Sequence, residues 1–197
     1  MLVNQLTKNY TLPRTSDKRE RLVDAARSLF HRQGFYRTTL ADIAQESDVP
    51  LGNVYYYFKT KEDICNAVID QRREGIRESL QECRCKDNDP KQNLVNAIKM
   101  IMKQSNTAAE YGCPVGSLCQ ELDKTPSALS EAANQCLQEH IGWATNQFRQ
   151  LGYQNAHDLG VEFIARIQGT ILLGHTLHDP ALIRKQLRSA CEWVQSL

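Results

Sequence analysis

The stretch Gly34-Phe35-Tyr36-Arg37-Thr38-Thr39-Leu40-Ala41-Asp42-Ile43-Ala44-Gln45-Glu46-Ser47-Asp48-Val49-Pro50-Leu51-Gly52-Asn53-Val54-Tyr55-Tyr56-Tyr57-Phe58-Lys59-Thr60-Lys61-Glu62-Asp63-Ile64 decides how this chain is read. Thr39 with Asp42 three residues on marks a helix start, and Leu40, Ile43 and Ala44 give that helix an inward face. Ser47-Asp48-Val49 makes a turn, and Pro50 presets the first turn of a second short helix through Phe58. Thr60 with Asp63 opens the next helix. Two short helices joined by a tight turn that an apolar residue closes form the helix-turn-helix pattern. The second helix of such a pair lies in a DNA major groove with its N-terminal half at the base edges. Here that half is Pro50-Leu51-Gly52-Asn53. Gly52 lets the backbone approach, Asn53 offers a donor and an acceptor suited to adenine, and Leu51 suits a thymine methyl. Val54 and Phe58 point to the core. Tyr55, Tyr56 and Tyr57 bring flat rings with hydroxyl tips, although Tyr55 suits packing equally well.

Outward from this stretch, the chain reads as helix after helix. Leu22, Val23, Ala25, Ala26, Leu29 and Phe30 form one apolar stripe, which Gly34 ends. Residues 1–15 show no periodicity and read as a flexible arm. Later helix starts are marked by Asp89-Pro90, Thr125-Pro126, Asp179-Pro180, Asn155 with Asp158, and Pro114. No alternating run is long enough for a strand. The expected fold is all-α, with about nine helices. A helix-turn-helix head of three helices occupies residues 16–60, and a larger helical domain, to which the resemblance given below assigns effector binding and dimerisation, occupies 61–197. Charge is local: residues 1–41 hold eight basic side chains against three acidic ones, although the whole chain is only +1. Residues 65–197 hold 14 basic and 15 acidic residues, so this part is not a second nucleic-acid surface.

The stretch 34–64 closely resembles the DNA-binding domain of the TetR/AcrR family of bacterial transcriptional regulators. The shared features are Gly34-Phe35, the pair Thr38-Thr39, Ile43-Ala44, the run Gly52-Asn53-Val54-Tyr55-Tyr56-Tyr57-Phe58, and Lys59-Thr60-Lys61-Glu62. Asp48 stands where the family usually has glycine, and Leu51 where lysine is common. Aspartate tolerates the left-handed geometry of the turn. The resemblance implies phosphate contacts from Thr39, Tyr55, Tyr57 and Lys61 and base-side contacts from Leu51, Gly52, Asn53 and Tyr56. Thr38 and Lys59 complete the implied DNA-binding set. It further implies a homodimer on a pseudo-palindromic double-stranded operator, and an apolar effector pocket among the middle helices.

In the larger domain the residues speak less directly. The last two helices carry long apolar stripes, from which Ile164, Ile167, Ile171, Leu187, Cys191 and Val194 are expected at a dimer interface. Effector candidates are Met100, Tyr111, Trp143, Phe163, Gln168 and His175. The segment Tyr111-Gly112-Cys113-Pro114-Val115-Gly116-Ser117-Leu118-Cys119 sets two thiols at the start of a helix, where thiolate is favoured. Cys113 and Cys119 are therefore redox or electrophile candidates, with small buried packing residues as the plainer reading.

Composition excludes several classes. Hydrophobic residues make up 41% and charged residues 24%, as in an ordinary globular protein. The densest apolar run, 170–174, is far short of the ~20 residues that span a bilayer. Seven cysteines and no export signal point to reduced thiols in a cytoplasm. Cys83-Arg84-Cys85 and His175 with His178 lack metal-site spacing, so neither metal nor cofactor is expected. The function that fits is a homodimeric DNA-binding regulator, a repressor released by a small molecule or by cysteine modification. The alternatives are a DNA-binding adaptor whose large domain holds a protein partner, and a cysteine-dependent helical enzyme, for which no triad signature is present.

Overall fold

The computed structural model describes residues 15–85 and 87–197, and among these it contains ten helices and no strand. They are α1 (Thr15–Gln33), α2 (Leu40–Glu46), α3 (Leu51–Tyr57), α4 (Lys61–Glu82), α5 (Pro90–Lys103), α6 (Ser105–Tyr111), α7 (Pro114–Leu122), α8 (Ala128–Gln150), α9 (Ala156–Thr176) and α10 (Pro180–Ser196). The all-α expectation holds. The count exceeds the expected nine because one helical stretch breaks at Gln104 into α5 and α6, with the Ser105 hydroxyl turned back onto the Met102 carbonyl. The expected arm over 1–15 lies outside the described residues except for Thr15, the first residue of α1.

Side-chain caps set most boundaries. Thr39 with Asp42 and Thr60 with Asp63 form reciprocal capping boxes at α2 and α4. Asp89 and Asp179 each cap a helix that opens on proline. The expected start at Thr125-Pro126 moves to Ser127, because the Ser127 hydroxyl and Ser130 make the capping box of α8. Asp48 adopts φ +52° in the α2–α3 turn, the left-handed geometry expected there. The Arg21 guanidinium braces that turn by donating to the Asp48 carbonyl at 2.9 Å.

Two apolar cores organise the chain. The first joins α1, α2 and α3 to the first half of α4, to α7 and to the start of α8. It crosses the expected domain boundary at residue 60, so the head is packed onto the larger domain. The second holds α5, α6, the C-terminal half of α8, α9 and α10. Cys113, at the start of α7, touches both.

The expected dimer residues need correction. Ile164, Ile167, Ile171, Leu187, Cys191 and Val194 are all buried inside the single chain, in the second core. The stripes are apolar as expected, but these faces pack α9 and α10 against α5, α6 and α8. The large apolar side chains left open are Val161, Leu172 and Leu173 of α9 and Leu177 just beyond it, each more than two-fifths exposed.

The α8–α9 crossing is unusually close at Gly160. A Cβ there would stand 2.8 Å from the Thr145 backbone nitrogen and 2.5 Å from its hydroxyl oxygen. Backbone cannot yield as a side-chain tip can, so Gly160→Ala is expected to destabilise the fold by about 2 to 3 kcal/mol. That corresponds to a fall in Tm of roughly 5 to 10 °C, to be read by thermal unfolding.

Candidate functional site

The helix-turn-helix presents a mixed apolar and polar face. In α3, Val54 is fully buried and Phe58 just beyond the helix nearly so, which fixes the helix against α1 and α2. Leu51, Gly52, Asn53, Tyr55 and Tyr56 are exposed, Tyr56 to 75%, and Tyr57 is half-buried. Tyr56 and Tyr57 meet edge to face at 5.0 Å, which steadies both rings. Thr39 is exposed at the start of α2, beside the exposed Arg37 and Tyr36, two residues the sequence reading did not single out.

Three expected residues are held differently from their neighbours. Thr38 is fully buried and its hydroxyl donates to the Gly34 carbonyl at 2.7 Å, so its side chain is withdrawn from the exposed face. Lys61 turns inward: Nζ donates to the carbonyls of Phe35 (2.8 Å) and Thr38 (2.9 Å) and lies 4.3 Å from the Phe35 ring centre. It clamps the α1–α2 loop to α4. Lys59 stays exposed and caps α3 through the Tyr55 carbonyl at 2.9 Å.

A second feature is a cavity of about 420 Å³ between the head and the larger domain. Its walls come from α1 (Arg27, His31), α4 (Gln71 to Leu80), α5, the start of α7, α8 and α9. It brings together Met100, Cys113, Trp143, Phe163 and Gln168 from the expected effector set. Three members of that set stand apart. Tyr111 packs edge to face on the His31 ring at 5.7 Å, outside the cavity wall. His175 lies behind Gly112, with Nδ1 3.2 Å from the Ala109 carbonyl. Cys119 is buried and donates to the Ala133 carbonyl at 3.3 Å. Burial pushes its thiol up to about 12, so it reads as a packing residue rather than a reactive one. Cys113 differs: it lines the cavity, and its sulfur accepts from the Gly116 N–H (3.3 Å) and from Gln168 Nε2 (3.4 Å).

The sequence reading missed Arg72, His31, Gln71 and His140 in the cavity wall. Arg72 did leave a signal, since it interrupts the inward stripe Ile64, Cys65, Val68, Ile69, Ile76 of α4. His31 and His140 are neutral donors: His31 Nε2–H points at the Gly112 carbonyl (3.1 Å) and His140 Nδ1–H at the Cys136 carbonyl (2.8 Å). Burial holds both below the ordinary histidine value of 6.5, and for His31 the charges of Arg72 and His175 act in the same direction. The unfolded chain therefore takes up protons below pH 6.5 that the folded chain refuses. Stability is complete above that pH and is lost as pH falls towards the folded values. The Tm is expected to drop between about pH 7 and about pH 5, and His140→Gln to flatten that slope.

The head is bound to the larger domain by specific hydrogen bonds. The Phe35 N–H donates to Glu121 Oε2 on α7 at 2.7 Å, and His31 reaches Gly112 just before α7. Helix α7 thus runs from the cavity, at Cys113 and Val115, to the loop before the helix-turn-helix, at Glu121.

An exposed helix-turn-helix packed onto a larger helical domain is the arrangement of a DNA-binding regulator, and comparison with known proteins gives the same class. Residues 22–68 match the model for bacterial regulatory proteins of the TetR family. Residues 90–189 match that for the LmrA/YxaF-like transcriptional regulator C-terminal domain. The chain is 31% identical over 164 residues to the transcriptional regulator LmrA of Bacillus subtilis, an alignment covering 81% of this chain and 87% of that one. It is 28% identical to YxaF of the same organism, covering 86% and 97%. Its fold matches a TetR-family regulator from Streptomyces coelicolor with a TM-score of 0.81 at 22% identity, covering 91% and 94%. The chain belongs to the TetR family of transcriptional regulators, with an LmrA/YxaF-like C-terminal domain. It is a DNA-binding regulator; members of this family are not enzymes, which removes the cysteine-dependent enzyme from the readings. No helix among the described residues is long and apolar enough to cross a membrane.

Proposed function

We propose that the protein is a homodimeric operator-binding repressor, released from DNA by a small molecule that enters the 420 Å³ cavity. The observation that carries this reading is that the DNA-binding head supplies part of the cavity wall, through Arg27 and His31 of α1. A ligand there touches the head directly. It also presses on the start of α7, whose other end holds the Phe35 N–H. An effector acts only if it binds the released arrangement more tightly than the DNA-bound one.

The exposed large apolar and aromatic side chains support the two macromolecular partners. Among the described residues they fall into two groups: Tyr36, Leu51, Tyr55 and Tyr56 on the head, and Val161, Leu172 and Leu173 of α9 with Leu177 just beyond it. The first group suits a DNA groove, together with Gly52, Asn53, Tyr57, Thr39 and Lys59. The second suits a two-fold contact between copies, with Gly169 among them leaving room for close helix approach. The outward face of α10 is polar, with Lys185, Arg188 and Glu192, and favours solvent. The seven unpaired thiols fit a reducing cytoplasm. A second reading, alkylation or oxidation of Cys113 as the releasing event, is favoured by that thiol alone lining the cavity among the seven.

Selection of bound duplexes from a random DNA pool tests the reading. A pseudo-palindrome enriched by the wild type supports it. Enrichment of a single half-site removes the dimer, and no enrichment at low salt, where phosphate contacts are strongest, removes the operator-binding repressor.

A further inference from the structure

The cavity has a charge asymmetry that its apolar residues conceal. No aspartate or glutamate lines it, whereas Arg27 and Arg72 do. Arg27 is already engaged, 3.3 Å from Asp24. The same Asp24 oxygen, Oδ1, also accepts from Gln71 Nε2 at 2.8 Å. No carboxylate among the described residues lies within ion-pair distance of Arg72. Its Nε is buried without a hydrogen-bond partner, and the guanidinium makes one long bond, from Nη2 to the Arg27 carbonyl at 3.4 Å. An arginine does not shed its proton, so this is a half-buried cation on the cavity wall with no anion beside it. Such a charge is costly unless something pairs with it. The two histidines of the wall do not compete for an anion, because each is neutral and its N–H is spent on a backbone carbonyl.

The rest of the wall describes the remainder of the occupant. Met100, Ile101, Trp143, Phe163, Ile167 and Ile171 give the same cavity an apolar lining, and the volume is that of a small-molecule site. We infer that the cavity takes an anionic amphipathic molecule, an aromatic or similarly apolar body bearing a carboxylate or sulfonate, and that the Arg72 guanidinium receives the anion. This rests on the reading of the cavity as the effector site and names the chemistry of the effector. It also supplies a link to DNA release. An incoming anion draws the guanidinium away from the Arg27 carbonyl, and that hydrogen bond joins α4 to α1 of the head.

Two fluorescent dyes that differ by one group test the inference on the full-length protein: anilinonaphthalene sulfonate, and phenylnaphthylamine, the same skeleton without the sulfonate. The wild type is expected to bind the sulfonate about tenfold to a hundredfold more tightly, the range of a charge-assisted hydrogen-bonded pair. Arg72→Met is expected to abolish that preference and leave the neutral dye's affinity unchanged. Equal affinities in the wild type, or a sulfonate preference that survives in Arg72→Met, overturn the inference while leaving the cavity as a ligand site. If neither dye binds, the ligand-cavity reading itself fails and the inference falls with it. Gly75→Leu checks the location: a Cβ at this wall position meets nothing within 4 Å, so the larger side chain fills open space and is expected to weaken both dyes. Undiminished binding would put the dyes elsewhere and also overturn the assignment. Thermal unfolding without ligand separates a binding arginine from a structural one. An unpaired cation leaves Arg72→Met as stable as the wild type or more so, whereas a clear fall in Tm would show that Arg72 holds the fold together instead.

Discussion

Replacing Leu172 and Leu173 together by glutamate is expected to turn the dimer into monomers and to weaken operator binding by about a thousandfold or more. Both side chains are 53% exposed in the single chain, near the C-terminal end of α9. Large apolar side chains left exposed carry a free-energy cost that burial against a symmetry mate relieves. Four carboxylates facing each other across a two-fold axis, two from each subunit, reverse that balance. Because the substituted residues are already exposed, the fold of each chain is expected to remain, with an unchanged helical circular dichroism spectrum. Sedimentation would report the monomer. The loss on DNA follows because one head covers one half-site, and tight binding needs two heads at fixed spacing. A double variant that stays dimeric would move the interface to another face and sink the assignment to α9.

Gly52→Glu is expected to leave fold and dimer intact while removing specific DNA binding, at least about a hundredfold in affinity. A Cβ at Gly52 meets nothing within 4 Å, so the substitution creates no clash. The position is in the first turn of α3, where a negative charge is compatible with the helix dipole and stabilises by about 0.3 to 1 kcal/mol. The Tm is therefore expected to hold or rise slightly. In the proposed docking of α3 the same carboxylate would face phosphates and base edges. An unchanged operator affinity in Gly52→Glu would mean that α3 does not enter the groove by its N-terminal half. The pairing of a lost affinity with a retained Tm separates a contact residue from a folding residue, a distinction that a Lys61 variant does not offer. Lys61 closes the α1–α2 loop through the carbonyls of Phe35, Tyr36 and Thr38, so its loss disturbs the head whether or not it meets a phosphate.

The coupling implied by these contacts is short. Helix α7 has nine residues, with Cys113 at the cavity on one side and Glu121 bonded to the Phe35 N–H on the other. Gly34, beside Phe35, has φ +90°, and a Cβ there would lie 2.5 Å from Glu121 Oε1. The carboxylate thus closes against the backbone of the head with no side chain between them. A ligand that displaces the start of α7 or takes hold of Arg72 acts on the head through one element in either case.

How much of this was legible in the sequence depends on whether the governing interaction is local. The capping boxes at Thr39 and Thr60, the proline starts after Asp89 and Asp179, and the left-handed Asp48 involve partners within a few residues, and the structure has them where the sequence placed them. The inward residues of α1 and α3 were legible for a similar reason, because each helix has one apolar face and so one way to pack. Helix α9 is different. Its apolar residues spread beyond one face, so periodicity says that it packs but not which of them face its own chain. That choice was made by α5, α6, α8 and α10, which cover Ile164, Ile167 and Ile171 and leave Leu172, Leu173 and Leu177 open. The two thiols of the 111–119 segment were equivalent as sequence and diverge in the fold: one lines a cavity, while the other is sealed against α8. The sequence by itself determined an all-helical chain with a helix-turn-helix head, because helix starts, turns and single-faced stripes are encoded at short range. The tertiary structure alone decided the cavity, the unpaired charge of Arg72, the clamp made by Lys61 and the open face of α9, because each depends on which distant helix fills the space beside it.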